Sequence, residues 1–205
     1  MLKQLIYVNL HPFDGFYQTS RSEKKGKYLV ATVLLVIYGI LQIIAYQYTG
    51  FIMNYQPIFM MNSIRIFLLA LLPIVLFVVS NWSITTILEG SGSIGDIYIV
   101  VCYSLFPKIV FDLIGVIVSN FIISEEIPIL QAFMAIGTVW FCFLIFAGLC
   151  VVHEYTVFTN IIMIILTFLI ILTILMILII TTILMLLLIV IQVIQLVKVL
   201  TIISK

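Results

Sequence analysis

Long apolar stretches alternate with short polar segments along the chain, and their lengths predict membrane-spanning helices. A bilayer core about 30 Å thick requires about 20 apolar residues in a helix, because lipid offers no hydrogen-bond partner to the backbone. Asp96, a typical N-cap residue, comes directly before the third stretch. The pattern predicts four spans before the C-terminal region: Tyr28–Tyr48, Ile66–Leu88, Ile97–Ser119 and Ile127–Val152.

The C-terminal region Val157–Val197 contains no charge and is about 60 Å long as one helix, at about 1.5 Å per residue. This is about twice the thickness of a bilayer core. Beyond Asn160 the region has no Gly, Pro, Asn or Asp to form a turn. Polar residues then recur every three or four positions: Gln192, Gln195, Lys198, Thr201 and Lys205. We therefore predict a fifth span that continues as an amphipathic tail at the interface or against a partner, with a sixth span as the alternative.

The composition agrees with this pattern, because 65% of the residues are hydrophobic and 8% are charged. Soluble domains carry about 25% charged residues. The sequence predicts an all-α integral membrane protein with five transmembrane helices, a long C-terminal helix and a short N-terminal interfacial segment. Residues 1–27 form the interfacial and basic segment, and residues 28–205 form a single transmembrane helical domain. The net charge of +1 gives no reason to expect a nucleic-acid partner.

Basic residues concentrate before the first span: Lys3, Arg21, Lys24, Lys25 and Lys27. The loop Thr49–Arg65 has one basic residue, and the loop Ser119–Ile127 has none. Basic residues favour the cytoplasmic side of a membrane, so the bias predicts a cytoplasmic N-terminus. We predict a multi-pass protein of the plasma membrane with this orientation.

The segment His11-Pro12-Phe13-Asp14-Gly15-Phe16-Tyr17 has the composition of an interfacial elbow. Pro12 ends any helix formed by Leu2–Leu10, Asp14-Gly15 is a turn pair, and the aromatic rings suit the headgroup region. We predict that this elbow lays Leu2–Leu10 along the membrane interface. A catalytic or metal-binding pair of His11 and Asp14 is the alternative.

Lys108 and Asp112 are charges deep within a predicted span, four residues apart on one helix face. A charge inside a membrane is costly unless it is paired, so such a pair is a functional candidate. The alternative is a neutralised pair that fixes helix packing, and we favour this structural interpretation over a transport role.

The loop Glu89–Asp96 is rich in Gly but lacks the Lys of a phosphate-binding loop, so we predict a flexible connector. We interpret His153 and Glu154 as polar residues at the interface. The three cysteines lie in apolar runs and are interpreted as small buried hydrophobes: Cys102, Cys142 and Cys150. The sequence shows no nucleophile–base arrangement and no metal-ligand spacing, which predicts neither an enzyme nor a cofactor.

Three motifs resemble the Yip family: HPFDGFY before the first span, the run from Asn81-Trp82 to Ile99, and YSLFP at Tyr103–Pro107. Yip proteins are small five-span membrane proteins, and the eukaryotic members are linked to Rab GTPases and vesicle traffic. The resemblance is closest to bacterial members from Gram-positive organisms, which are often encoded beside sugar ABC importers.

The resemblance implies a non-catalytic accessory subunit that packs against the permease of a carbohydrate ABC importer. A small carrier or leak protein that uses Lys108 and Asp112 is the alternative, and a membrane-organising role of the Yip kind is a third. The expected partners are the lipid bilayer and the permease. We expect the permease contact to include the final helix and the second span, at Asn81, Trp82, Gln192, Gln195 and Lys198.

Overall fold

The structure is a computed structural model that describes residues 2–21, 25–54, 62–88 and 90–203, with the backbone alone for Leu2, Lys25 and residues 198–203. A short 3₁₀ helix, Ser124–Glu126, precedes the sixth α-helix. The α-helices are α1 Leu2–Leu10, α2 Pro12–Arg21, α3 Lys25–Tyr48, α4 Ser63–Ile87, α5 Ile94–Val118, α6 Ile127–His153 and α7 Val157–Ile203.

The five helices α3 to α7 are long and apolar enough to cross a membrane. They confirm the predicted all-α integral membrane fold. Successive helices run in opposite directions, so the bundle has two ends. At the proximal end α3, α5 and α7 begin while α4 and α6 end, and at the distal end the reverse holds.

Capping side chains extend two of the spans beyond their predicted starts. Asn62 accepts a hydrogen bond from the backbone N–H of Arg65 at 3.0 Å, which starts α4 at Ser63. The prediction of Asp96 as an N-cap was wrong. Ser93 is the N-cap of α5, and Asp96 lies inside the helix, where its carboxylate accepts from the Ser93 backbone in a capping box.

Helix α5 forms the centre of the bundle, because it packs against α3, α4 and α6. Its buried side chains continue along most of its length and include Ile97, Val101 and Tyr103. Hydrogen bonds across the distal end hold α3 and α5 in register, since the N–H of Gly50 donates to Ser119 Oγ at 2.8 Å. This register places the polar side chains of α5 between α3 and α6.

Helix α7 is one continuous helix of 47 residues, about 70 Å long at about 1.5 Å per residue. This confirms the long C-terminal helix and excludes a sixth span, because no turn interrupts the helix. The first half packs against α4 and α6. From Met176 to Val197 every side chain is exposed, and we call this part the projecting segment.

Candidate functional site

The HPFDGFY segment bends at His11, and the turn predicted at Asp14-Gly15 was wrong. Both residues lie inside α2, because Pro12 occupies the first helical position, where its missing N–H is harmless. The N–H of Gly15 donates to the carbonyl of His11 at 2.8 Å, which continues the helix from the bend. The motif therefore encodes a helix start, with α1 and α2 packed against each other.

Gly15 and Phe16 dock this pair of helices onto the proximal end of the bundle. A Cβ added at Gly15 would lie 2.6 Å from the Val8 Cα, so the glycine allows α1 and α2 to pack closely. Phe16 is 1% exposed and lies against α6 at Gly148. Leu5 and Val8 on α1 are part of the same hydrophobic core as α5, so α1 is held on the bundle, and its position along the membrane interface stays a prediction.

The opposite face of the HPFDGFY segment is exposed. Phe13 and Tyr17 are about half exposed, and the Arg21 guanidinium lies 4.4 Å from the centre of the Tyr17 ring. The His11 ring stacks on Tyr7 with 5.0 Å between the ring centres. The contact of these exposed rings with lipid headgroups stays a prediction.

The Gly-rich loop covers His153 at the proximal end. His153 is 4% exposed, and its Nδ1 accepts from the N–H of Gly92 at 3.2 Å. Its ring stacks on Tyr155, 5.1 Å between centres, and burial raises the pKa of the Tyr155 hydroxyl. His153 ends α6 but is buried beneath the loop, which is packed against α6 from Gly90 onward, and its position at the membrane interface stays a prediction. Glu89 lies outside the described residues.

Lys108 and Asp112 on α5 form an ion pair that also contacts a side chain of the neighbouring helix α6. The Lys108 Nζ lies 2.9 Å from Asp112 Oδ2 and donates to the hydroxyl of Thr138 on α6 at 3.2 Å. The Asp112 side chain is 7% exposed and that of Lys108 is 20% exposed. The group therefore links α5 to α6 with its charge neutralised. Thr138 was not identified from the sequence, because a single Thr in a span carries no distinguishing pattern.

A cavity of about 80 Å³ lies beside Asp112 towards the distal end, and most of its wall is apolar. Its polar lining also includes Gln42, Thr49 and Ser119. The cavity is larger than one water molecule requires, and Asp112 and Gln42 offer it hydrogen-bonding groups, whereas the Thr49 and Ser119 hydroxyls already bond to the backbone. This cavity is the feature that a transport role for the pair would use.

Two asparagines hold α7 against the bundle. Asn81 Nδ2 donates to Thr167 Oγ1 at 3.0 Å, and Asn160 Nδ2 donates to the carbonyl of Phe146 at 2.9 Å. Asn81 is 1% exposed, so the prediction that it contacts a partner is corrected: its amide is used within the chain. Trp82 beside it is exposed.

The C-terminal residues of the predicted partner contact lie on the part of α7 that does not pack against the bundle. Gln192 and Gln195 are exposed in the projecting segment, and the side chain of Lys198 lies outside the described residues. Cys142 is also exposed, which corrects its interpretation as a buried residue, whereas Cys102 and Cys150 are buried.

The sequence model of one family, described as the Yip1 domain, matches residues 6–180. No curated protein and no solved structure matches the chain. The matched region includes α2 to α6 and the packed half of α7, and it ends within the projecting segment.

Proposed function

Since the chain belongs to the Yip1 family, whose members are generally non-enzymatic membrane proteins, we propose that it is an accessory protein that packs against another membrane protein. The projecting segment of α7 forms the contact through Gln192 and Gln195, with Lys198 directly after it in the sequence and Trp82 as a further contact on α4. No catalytic group takes part in this role.

The exposed surface of the projecting segment is the observation that carries the proposal. A bilayer core is about 30 Å thick, so a helix about 70 Å long extends well beyond one crossing. The segment is apolar on nearly every side, and a helix of this kind is stable when it is buried in lipid or in protein. Gln192 and Gln195 add amides that can hydrogen-bond to a helix of the partner.

The partner that we propose is the permease of a carbohydrate ABC importer in the plasma membrane. The resemblance of the HPFDGFY segment to bacterial Yip proteins encoded beside such importers supports this choice. We place the proximal end in the cytoplasm, because Lys3, Arg21 and Lys27 lie in α1, α2 and the start of α3.

Truncation after Leu188 tests the proposal. The buried contacts of α7 end near Thr167, so the truncated protein keeps them and should remain folded. We expect the full chain, but not the truncated one, to co-purify with the permease. A full-length Gln192→Leu/Gln195→Leu variant is the matched control for the amides alone. Equal recovery of permease with the truncated chain contradicts the proposal.

A carrier or leak protein is the second candidate, and the cavity beside the Asp112 carboxylate favours it. In that role the cavity admits water or an ion to the carboxylate. The direct contacts of Lys108 with Asp112 and Thr138 support the structural role instead, because they neutralise the charge and join two helices. A membrane-organising role of the Yip kind would use the same projecting segment with a different partner.

A further inference from the structure

A crevice of about 430 Å³ lies between α4, α6 and α7. Its lining is aliphatic and aromatic, apart from Pro73 and the thiol of Cys142. Ile74 and Val101 are buried, whereas Leu72 and Phe168 are about half exposed. The crevice therefore opens between exposed side chains towards the surrounding bilayer. Water has no hydrogen-bond partners along such a wall, so an apolar occupant is required.

The depth of the crevice matches the hydrocarbon core. Leu72 lies nine residues after the start of α4, about 14 Å from the distal end at about 1.5 Å per residue. Phe168 lies eleven residues after the start of α7, about 17 Å from the proximal end. Both positions are near the middle of a core about 30 Å thick, where acyl chains surround the protein.

Arg65 provides the charge complementarity that selects the occupant. It lies seven residues before Leu72 on α4, which is close to two helical turns and therefore the same face. The separation along the axis is about 10 Å towards the distal end. Arg65 is exposed at the start of the helix, and the ends of a membrane-spanning helix lie near the lipid headgroups. A guanidinium binds phosphate with two parallel hydrogen bonds.

We propose that the crevice binds one acyl chain of a phospholipid from the distal leaflet, with the lipid phosphate on Arg65. The distance from Arg65 to the crevice is within the half-thickness of a bilayer core, about 15 Å, so one lipid reaches both groups. The bound chain fills the space that α7 leaves beside α6. This site is separate from the projecting segment and does not depend on the proposed partner.

Two variants and two matched controls test the site in the full-length protein. Cys142→Trp fills the crevice from an exposed position, and Val139→Trp places the same ring on an exposed part of α6 outside the crevice. Arg65→Gln removes the phosphate partner, and Arg21→Gln removes an exposed charge from α2. Circular dichroism and gel filtration test whether each variant is folded. If Cys142→Trp does not fold, Ile171→Trp, which fills the crevice from the opposite wall, takes its place.

The measurement is native mass spectrometry of protein purified from phosphatidylglycerol bicelles, together with crosslinking by phosphatidylglycerol that carries a diazirine midway along one chain. We expect one retained phospholipid in the parent and in both controls, and adducts on crevice residues. Retention should be lost in Cys142→Trp and should fall about tenfold or more in Arg65→Gln. The proposal would be overturned if the adducts were spread evenly over lipid-facing residues. It would also be overturned if either test variant retained the phospholipid as the parent does, or if a protein segment occupied the crevice in place of the lipid.

Discussion

Replacement of Asp112 with Asn removes the carboxylate that lies 2.9 Å from the Lys108 ammonium. At this distance the attraction between the charges is about 6 kcal/mol at an effective dielectric constant of about 20. Desolvation offsets part of it, and loss of one member of a buried pair typically costs about 3–5 kcal/mol. In Asp112→Asn the ammonium keeps the Thr138 hydroxyl and some exposure, so we expect a loss of about 3 kcal/mol. Lys108→Met leaves a nearly buried carboxylate without a cation, and there we expect about 5 kcal/mol.

The free energy of unfolding, measured by steric trapping in bicelles, tests these values. The Lys108→Met/Asp112→Leu double variant should recover to within about 1 kcal/mol of the parent, because both charges are removed together. Glu125→Gln, at an exposed site, is the control and should change stability by less than about 0.5 kcal/mol. The reasoning is refuted if Asp112→Asn leaves the free energy of unfolding unchanged. It is also refuted if the double variant is no more stable than the single variants. A stable double variant that abolishes an ion flux of the parent would assign the pair to transport.

Three further changes test how the helices are held together. Phe16→Ala should lower the free energy of unfolding by about 3–5 kcal/mol, while Phe13→Ala in the same motif changes it little; equal losses in thermal denaturation would contradict the docking of α2. Gly15→Ala should cost about 1–3 kcal/mol, because the new methyl group meets backbone atoms of Val8 rather than a movable side chain; unchanged stability would show that α1 is not held there. Asn160→Leu should cost about 0.6–2 kcal/mol and weaken protection of α7 in hydrogen exchange, and full protection would show that packing alone positions α7.

The spans were predictable because one physical requirement determines them. A membrane helix must satisfy its backbone internally over a fixed thickness, so apolar length alone identifies each span. The continuity of α7 followed from the lack of turn residues beyond Asn160. The exact starts were not predictable in the same way, because Ser93 and Asp96 are both acceptable N-cap residues, and the capping box decides between them.

The contacts of the candidate sites were less accessible to sequence reasoning. In a span that is apolar on every side, hydrophobic periodicity does not distinguish a side that faces lipid from one that faces another helix. Cys142 and Cys150 have similar neighbours in the sequence but differ in exposure. The burial of His153 was not predictable for the same reason, because it depends on Gly92, far away along the chain. Gly15 carried a usable signal, since a glycine inside an amphipathic helix often marks a close approach between helices.

The most direct measurement of the proposed role is site-specific crosslinking from the projecting segment in intact membranes. A photoreactive amino acid at Leu186 on α7 is compared with the same group at Val139 on α6, since the two positions are 63% and 68% exposed. We expect Leu186 to give a discrete adduct with a transporter permease, identified by mass spectrometry, and Val139 to give lipid adducts. Lipid adducts alone at both positions, or an adduct of Leu186 only with a second copy of the chain, would contradict the account.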